Sequence, residues 1–483
     1  MDEFTLTVRD PGQGLTQEAT STPLVYGPCS NGTANVLESF NSIPDLLTAH
    51  PQGPATETAA YILAQGGGPI RFMKSAASVA AANSVVTSVG GGPVVTVAGT
   101  AADFYDAIIE IVLGGALGTA TFRYTLDGGK NYSATLLTPS GLTYVIPNTG
   151  ITATFTAGTQ IAGATHSFTC TPAMWNSTDL GTAFAVLNID FTPWDFFVGA
   201  GRHASAAAAA TVGASLQSSL EGLITSQRWV RGMIDAGNEA TAAGVVTAYA
   251  STVSPRLMYV YKGLRRATPK AFQGWGTPML GAVDGMAMLA ARSLISTHLG
   301  RYLSHNLTSF GATAIDYDEE KSAALNSAKI ATLRTIPGVA GIWNKCDWLK
   351  AADGSDFLRW HFGRVMDTAC RTTFLGLLPF LNVGLRTQTR VVGGVTYTGT
   401  LDDREITRIE DTVNGQLSAV LKQPANIEGT PGHVTDVRYI IDKTWDAATN
   451  QSIKGEVTIV RLAYAEKFRT QLGFAAQILP LAA

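Results

Sequence analysis

Charge is scarce in this chain. Only 15% of its 483 residues are Asp, Glu, Lys or Arg, against about 25% in ordinary soluble domains. A surface so poor in charge is expected to be covered in part by other chains. The balance of 34 basic against 37 acidic residues, with no Lys/Arg block, argues against a chain that binds nucleic acid directly or inserts into an anionic membrane. Cysteine is scarce too. Cys29, Cys170, Cys346 and Cys370 lie far apart with no CxxC spacing, which argues against a disulfide scaffold or a structural zinc site and predicts reduced, buried thiols. No apolar run reaches 18 residues; the most apolar stretch, 107–120, contains Glu110 and three glycines and is too short to span a bilayer. The start, Met1-Asp2-Glu3-Phe4, lacks the basic and apolar regions of a signal peptide. These absences predict a soluble chain made in a cytoplasm.

What is present is apolar and patterned. At 46% hydrophobic the chain can bury large cores, and its length suggests about three domains of ~150 residues. Residues 1–20 form an arm with one alternating strand, Phe4-Thr5-Leu6-Thr7-Val8-Arg9, then a polar Gly/Pro/Thr-rich linker. A lone strand cannot stabilise itself. Residues 21–83 read as β-α-β: a strand at 24–27, a helix at 56–65 stopped by Gly66-Gly67-Gly68, and a strand at 69–73. Residues 84–173 switch to period-2 runs such as Ala120-Thr121-Phe122-Arg123-Tyr124 and Ile151-Thr152-Ala153-Thr154-Phe155, which predict a small all-β domain inserted in a surface loop. Over 174–345 the β-α-β-α-β rhythm resumes with strands near 194–199, 228–235 and 256–261. A long apolar helix over 280–303 and a hairpin around Pro337-Gly338 follow. The remainder, 346–483, holds helices over 356–373 and 402–422, strands over 434–442 and 455–464, and a second orphan strand at 474–479. The expected fold class is thus α/β plus all-β: an α/β core, an inserted small β-sandwich or barrel, and an unpaired strand at each end.

The chain carries no legible chemistry. Gly27-Pro28-Cys29-Ser30-Asn31-Gly32-Thr33 has the spacing of a phosphate loop but no Lys, so it reads as a turn after a strand. The seven histidines are scattered and read as solvated or capping. His298 and His305 fall two turns apart on the expected helix, too far to share a metal. The cluster Asp316-Tyr317-Asp318-Glu319-Glu320 reads as an acidic helix start. No catalytic, cofactor-binding or metal-ligating residue is assigned.

Leu325-Asn326-Ser327-Ala328-Lys329-Ile330-Ala331-Thr332-Leu333-Arg334 and Pro337-Gly338-Val339-Ala340-Gly341-Ile342-Trp343-Asn344 resemble the LNPAGIN-x-IR…PG-x-G-I-x-VWGART stretch of the contractile tail sheath family, although Asn344-Lys345-Cys346 stands where GART is usual. The segment around Arg364 and Asp367 matches the following helix, and 454–468 resembles the closing strand. Thr22-Pro23-Leu24-Val25-Tyr26-Gly27, Ser39-Phe40 and residues 57–72 are similar to the family's N-terminal motifs.

The resemblance implies a structural subunit and no enzyme. It would form stacked hexameric rings as a helical homopolymer around an inner tail tube protein. The baseplate and tail terminator proteins would be further partners, and the sheath would contract to drive the tube through a cell envelope. It implies a place in a bacteriophage tail or an extracellular contractile particle, and no cofactor. Phe4, Leu6 and Val8 of one arm, and Phe474 and Ile478 of the other, would add to the sheet containing Val457 and Ile459 by strand exchange between subunits. Arg404 and Arg408 are the candidates to face the tube. A non-sheath virion protein (capsid or decoration) and an α/β enzyme are the competing readings. An enzyme should gather polar groups at strand C-termini, and none are legible.

Overall fold

A computed structural model describes residues 22–266, 279–302, 304–322, 324–422 and 432–462. The chain divides into two compact units, one ending at Leu375 and the other beginning at Gly376.

The first unit is organised by a six-stranded sheet. It begins with β1 (Pro23–Gly27), β2 (Leu37–Phe40), α1 (Ile43–Ala49), α2 (Pro54–Ala64) and β3 (Ile70–Lys74). After an all-β stretch come α3 (Ser177–Ile189), β13 (Phe196–Gly199), α4 (Ala206–Thr225), β14 (Arg231–Asp235), α5 (Ala242–Ala248) and β15 (Leu257–Val260). Strand order is β15-β14-β13-β1-β3-β2, parallel except for β2 at the edge. Every residue of β1, β13, β14 and β15 is buried, which is why these strands read as short continuous runs. Alternate side chains serve two layers. Val25, Phe72, Val198, Met233 and Met258 pack towards α2 and a later helix. Leu24, Tyr26, Phe197, Ile234 and Tyr259 pack towards α3, α4 and α5. β1 and β13 lie so close past their ends that a Cβ at Gly27 would sit 2.9 Å from the Ala200 carbonyl oxygen.

The all-β stretch comprises β4 (Ala82–Asn83), β5 (Thr87–Val89), β6 (Val95–Gly99), β7 (Tyr105–Leu113), β8 (Thr121–Thr125), β9 (Leu136–Leu137), β10 (Thr143–Ile146), β11 (Ile151–Phe155) and β12 (Thr165–Thr171). One sheet runs β4-β12-β7-β8-β9, with β5 also on β12; the other runs β10-β11-β6. Alternating residues of both sheets, among them Ile109, Ile111, Phe122, Ile151 and Phe155, share one apolar cluster. The stretch leaves and rejoins its host at neighbouring points: Val79 and Met174 exchange N–H···O bonds of 2.8 and 2.9 Å, and Thr171 faces Ala82.

The unit continues with β16 (Gly263–Arg266), β17 (Met279–Gly281), α6 (Ala282–Arg292), β18 (Ala312–Ile315), the hairpin β19 (Leu333–Ile336) and β20 (Val339–Asn344), and α7 (Trp360–Leu377). The helix expected over 280–303 stops at Arg292. Ser293 turns extended, with its hydroxyl on the Leu289 carbonyl, a local bond that competes with helix continuation. His298 and His305 therefore share no helix. The acidic cluster at 316–320 starts no helix either: Asp318 accepts from the N–H of Thr335 (3.0 Å), and Glu319 accepts from those of Leu325 (3.0 Å) and Asn326 (2.8 Å). α7 anchors the sheet through charge. Asp367 accepts from Arg231 (2.6 Å) and Arg256 (2.8 Å), and Arg364 donates to the Ala290 carbonyl (3.0 Å), all in the interior.

The second unit holds the hairpin β21 (Thr387–Val392) and β22 (Val395–Leu401), then α8 (Asp403–Leu417), whose last turn widens into a π-helical turn over Ser418–Lys422. β23 (Val434–Ile441), α9 (Ala447–Asn450) and β24 (Gly455–Arg461) complete it. β23 and β24 form an antiparallel two-stranded sheet.

Candidate assembly interface

Histidines come first, because the sequence reading of them needs correction. Instead of solvated or capping, His50, His166, His203, His305, His361 and His433 are buried. His361 Nδ1 lies 2.5 Å from Asp347, and His298 lies 3.2 Å from the same carboxylate. His50 pairs with Glu38. Partners distant in sequence hold these rings, and no alternation or spacing announces them.

A polar cluster does exist at the C-terminal end of the parallel sheet, contrary to expectation. Asp235 closes β14 and accepts from the Gly237 N–H (2.7 Å); Asp284, in the first turn of α6, accepts from Thr58 Oγ1 (2.6 Å). Burial pushes Asp235 up to about 7 and Asp284 to about 6, with the Arg202 guanidinium opposing the rise in both. Both carboxylates are engaged inside the protein. Among the described residues no group of three or more His, Cys, Asp or Glu is arranged to hold a metal, and no helix is long and apolar enough to cross a membrane.

The feature that points outward is the β23–β24 sheet. α8 is amphipathic, with Ile406, Ile409, Val413 and Leu417 buried, and it packs along β23. Asp402 caps it by accepting from the Arg404 N–H (2.8 Å), and Asp403 and Glu405 suit its positive end. Val434, Val437, Tyr439 and Ile441 are the buried face of β23. At the turn, Asp442 takes the Thr444 hydroxyl (2.7 Å) and N–H (3.0 Å) and faces Lys454 (3.0 Å); the Thr444 bonds first, then Lys454, hold its carboxyl down at about 2.

Register decides which backbone groups are free. Tyr439 stands opposite Val457 and Val437 opposite Ile459, while Asp442 donates its N–H to the Lys454 carbonyl (2.8 Å). Bonded and non-bonded pairs alternate along an antiparallel ladder, so Arg438–Thr458 and Ile440–Glu456 exchange the ladder bonds. The main-chain groups of Val437, Tyr439 and Ile441 then point away from β24, and those of Val457 and Ile459 away from β23. The outward N–H groups of β23, and the Tyr439 carbonyl, are occupied. Asn414 accepts from the Tyr439 N–H (2.7 Å) and donates to its carbonyl (3.0 Å). Glu410 accepts from the Ile441 N–H (2.8 Å), and Asp436 from that of Val437 (2.9 Å). Among the described residues no strand pairs with β24 at Val457 and Ile459, and this is the open edge of the sheet.

Of the candidate residues, Val457 and Ile459 lie on that edge, half-buried towards the same face as Val437 and Tyr439. Phe4, Leu6, Val8, Phe474 and Ile478 lie outside the described residues. Arg408 is already engaged, donating to Glu405 (2.6 Å) with its guanidinium 5.0 Å from the centre of the Phe380 ring. Arg404 is exposed, and no ion pair engages its side chain among the described residues. Asn414 and Glu410 escaped the sequence reading. Their signal is slight: two polar residues one helical turn apart beside an apolar stripe.

No protein-family model and no curated protein matches the sequence. Solved structures do match. A chain of the anti-feeding prophage helical sheath in its contracted state is 11% identical and superposes with a TM-score of 0.52, over 99% of both chains. A chain of the same particle's six-fold symmetrised baseplate is also 11% identical with a TM-score of 0.52, over 95% of this chain and 94% of that one. A sheath tail protein from Listeria innocua is 11% identical with a TM-score of 0.44, over 92% of this chain and 96% of that one. The likeness to the anti-feeding prophage chains is one of fold: this chain has the fold of contractile sheath proteins.

Proposed function

We propose that this chain is the structural subunit of a contractile sheath, polymerising by strand addition at the edge of β24. The observation that carries this reading is the edge at Val457 and Ile459, which no strand among the described residues pairs with, in a sheet whose other edge is covered from α8. Unpaired ladder groups are a template for another strand. The chain has two segments suited to be that strand, in residues 1–21 and 463–483. Phe4, Leu6 and Val8 alternate, as do Phe474, Ala476 and Ile478. Such a strand would add apolar residues beside Val457 and Ile459 on the side that faces β23's buried face. An arm from a neighbouring subunit would pair with β24 directly, and a second arm would extend the sheet beyond the first.

In this reading stacked hexameric rings surround an inner tube, and baseplate and terminator proteins close the two ends. Contraction would bury more surface between subunits while the exchanged strands keep the lattice joined. Residues 84–173 would be an inserted domain on the outside, within the division 1–20, 21–83, 84–173, 174–345 and 346–483. The exposed face of α8 at Arg404 and Arg408 would meet the tube through weak, releasable ion pairs. The particle is a phage tail or an extracellular injection device, assembled in the host cytoplasm.

Removal of residues 1–14 tests the reading. The expected product is folded, with near-native circular dichroism, and forms no tubes in negative-stain micrographs. Normal tubes would overturn strand exchange. Shells formed by the intact chain would favour a capsid or decoration role, and isolated particles would argue against any lattice.

A further inference from the structure

We infer that Asn414, seconded by Glu410 and Asp436, is a stopper that confines strand addition to one side of the β23–β24 sheet. This inference rests on strand addition at β24. A two-stranded sheet left bare on both sides would accept a strand at either, and subunits joined through the wrong edge could not repeat a single lattice contact. Here one side is closed by side chains instead of by a further strand.

The closure reaches each outward residue of β23. The Asn414 amide spans both main-chain groups of Tyr439, the bonding an incoming strand would make there. Glu410, one turn earlier on α8, takes the Ile441 N–H, and Asp436 takes that of Val437 from within the strand. An arriving strand would have to displace these side-chain bonds. Among the described residues no strand covers β24 at Val457 and Ile459. Simple satisfaction of polar groups is a weaker account of Asn414, because an exposed strand edge can bond to water. A carboxamide placed to mimic a partner strand instead denies the position to any other chain.

The test uses the full-length chain carrying Leu6→Pro, Val8→Pro and Ala476→Pro, so that neither arm can lend a strand. A synthetic peptide with the sequence of residues 3–10 is titrated into it, and stoichiometry is read by native mass spectrometry. The number of peptides bound per chain is expected to rise by one when Asn414→Ala and Glu410→Ala are added. An unchanged number would overturn the stopper. Amide hydrogen exchange judges it independently. The Tyr439 and Ile441 amides should exchange slowly and those of Val457 and Ile459 fast. Asn414→Ala alone should speed Tyr439 about tenfold or more without altering the first unit. If no peptide binds, strand addition fails as a reading, and the stopper then stands or falls on Tyr439: fast exchange before substitution, or unchanged exchange after it, would overturn it. Asn414→Asp, which keeps the acceptor and loses the donor, should leave Tyr439 between the two and covers the case in which Ala impairs folding.

Discussion

The six-stranded sheet of the first unit and the two-stranded sheet of the second are built from similar apolar residues, yet they meet their surroundings in opposite ways. In the first, both faces are roofed by helices and charged residues of α7 are fastened inside. In the second, one edge is covered from α8 and no strand among the described residues pairs with the other. On the proposed reading, completeness within the chain makes the first sheet a matter of folding, and incompleteness at one defined edge makes the second a matter of assembly. Substitutions in the first sheet should therefore alter folding, and substitutions at the β24 edge should alter assembly alone.

The largest effect belongs to Asp367→Ala. It strands the buried guanidinium group of Arg231 and removes a partner from the half-buried Arg256, which the Asp367 carboxylate holds at 2.6 and 2.8 Å. A loss of about 3–5 kcal/mol is expected in denaturant unfolding. A loss below about 1 kcal/mol would show that this interior is wetter than its geometry.

Next is the pH dependence of the same region. With Asp235 at about 7, the folded chain keeps a proton that the unfolded chain, near the ordinary value of about 4, releases sooner. Stability contributed at this site is therefore full below about pH 4 and falls as pH rises towards 7. Asp235→Asn removes the cost of ionisation while keeping an acceptor for Gly237. It should leave the melting temperature unchanged near pH 3 and raise it at pH 8, by on the order of 4 kcal/mol in free energy. An equal shift at both pH values would count against the buried charge.

The contrast is sharpest within β24 itself. Thr458→Pro removes a ladder N–H and clashes with β23, so the second unit should lose about 2–3 kcal/mol. Ile459→Pro removes only an N–H facing outward; its stability cost should be about 1 kcal/mol or less, while tube formation is lost. Equal destabilisation by the two would break the edge assignment. Smallest is the double reversal Arg404→Glu with Arg408→Glu. It should leave unfolding within about 0.5 kcal/mol and weaken co-sedimentation with tube protein. Unchanged co-sedimentation would remove α8 from the tube-facing surface.

Much of this was legible from sequence, and the remainder has a common cause. Strands buried on both faces announce themselves as runs such as Leu24-Val25-Tyr26, and the period-2 segments at 121–125 and 151–155 are strands β8 and β11. The early end of α6 was hidden because a single serine hydroxyl made it, amid residues that otherwise read as helical. Asp235 and Asp284 meet Thr58 and Arg202 only once distant segments have folded together. Edge polarity was the least visible. Which groups of Val457 and Ile459 face outward depends on ladder parity, and the closure of β23 depends on Asn414, 25 residues from its partner Tyr439.

The joined stem at Val79 and Met174 has a consequence for how such chains diversify. The nine strands between these residues join the host backbone at two neighbouring positions, and Phe104 packs against the host core. A stretch whose ends meet in this way can be exchanged with little change to the path of its host, provided the contact at Phe104 is kept. On the proposed reading, the stem is in effect a splice site at which the outward character of a particle could change over generations while its packing rules stay fixed. It is equally a place where a protein engineer could graft a foreign domain and display it once per subunit.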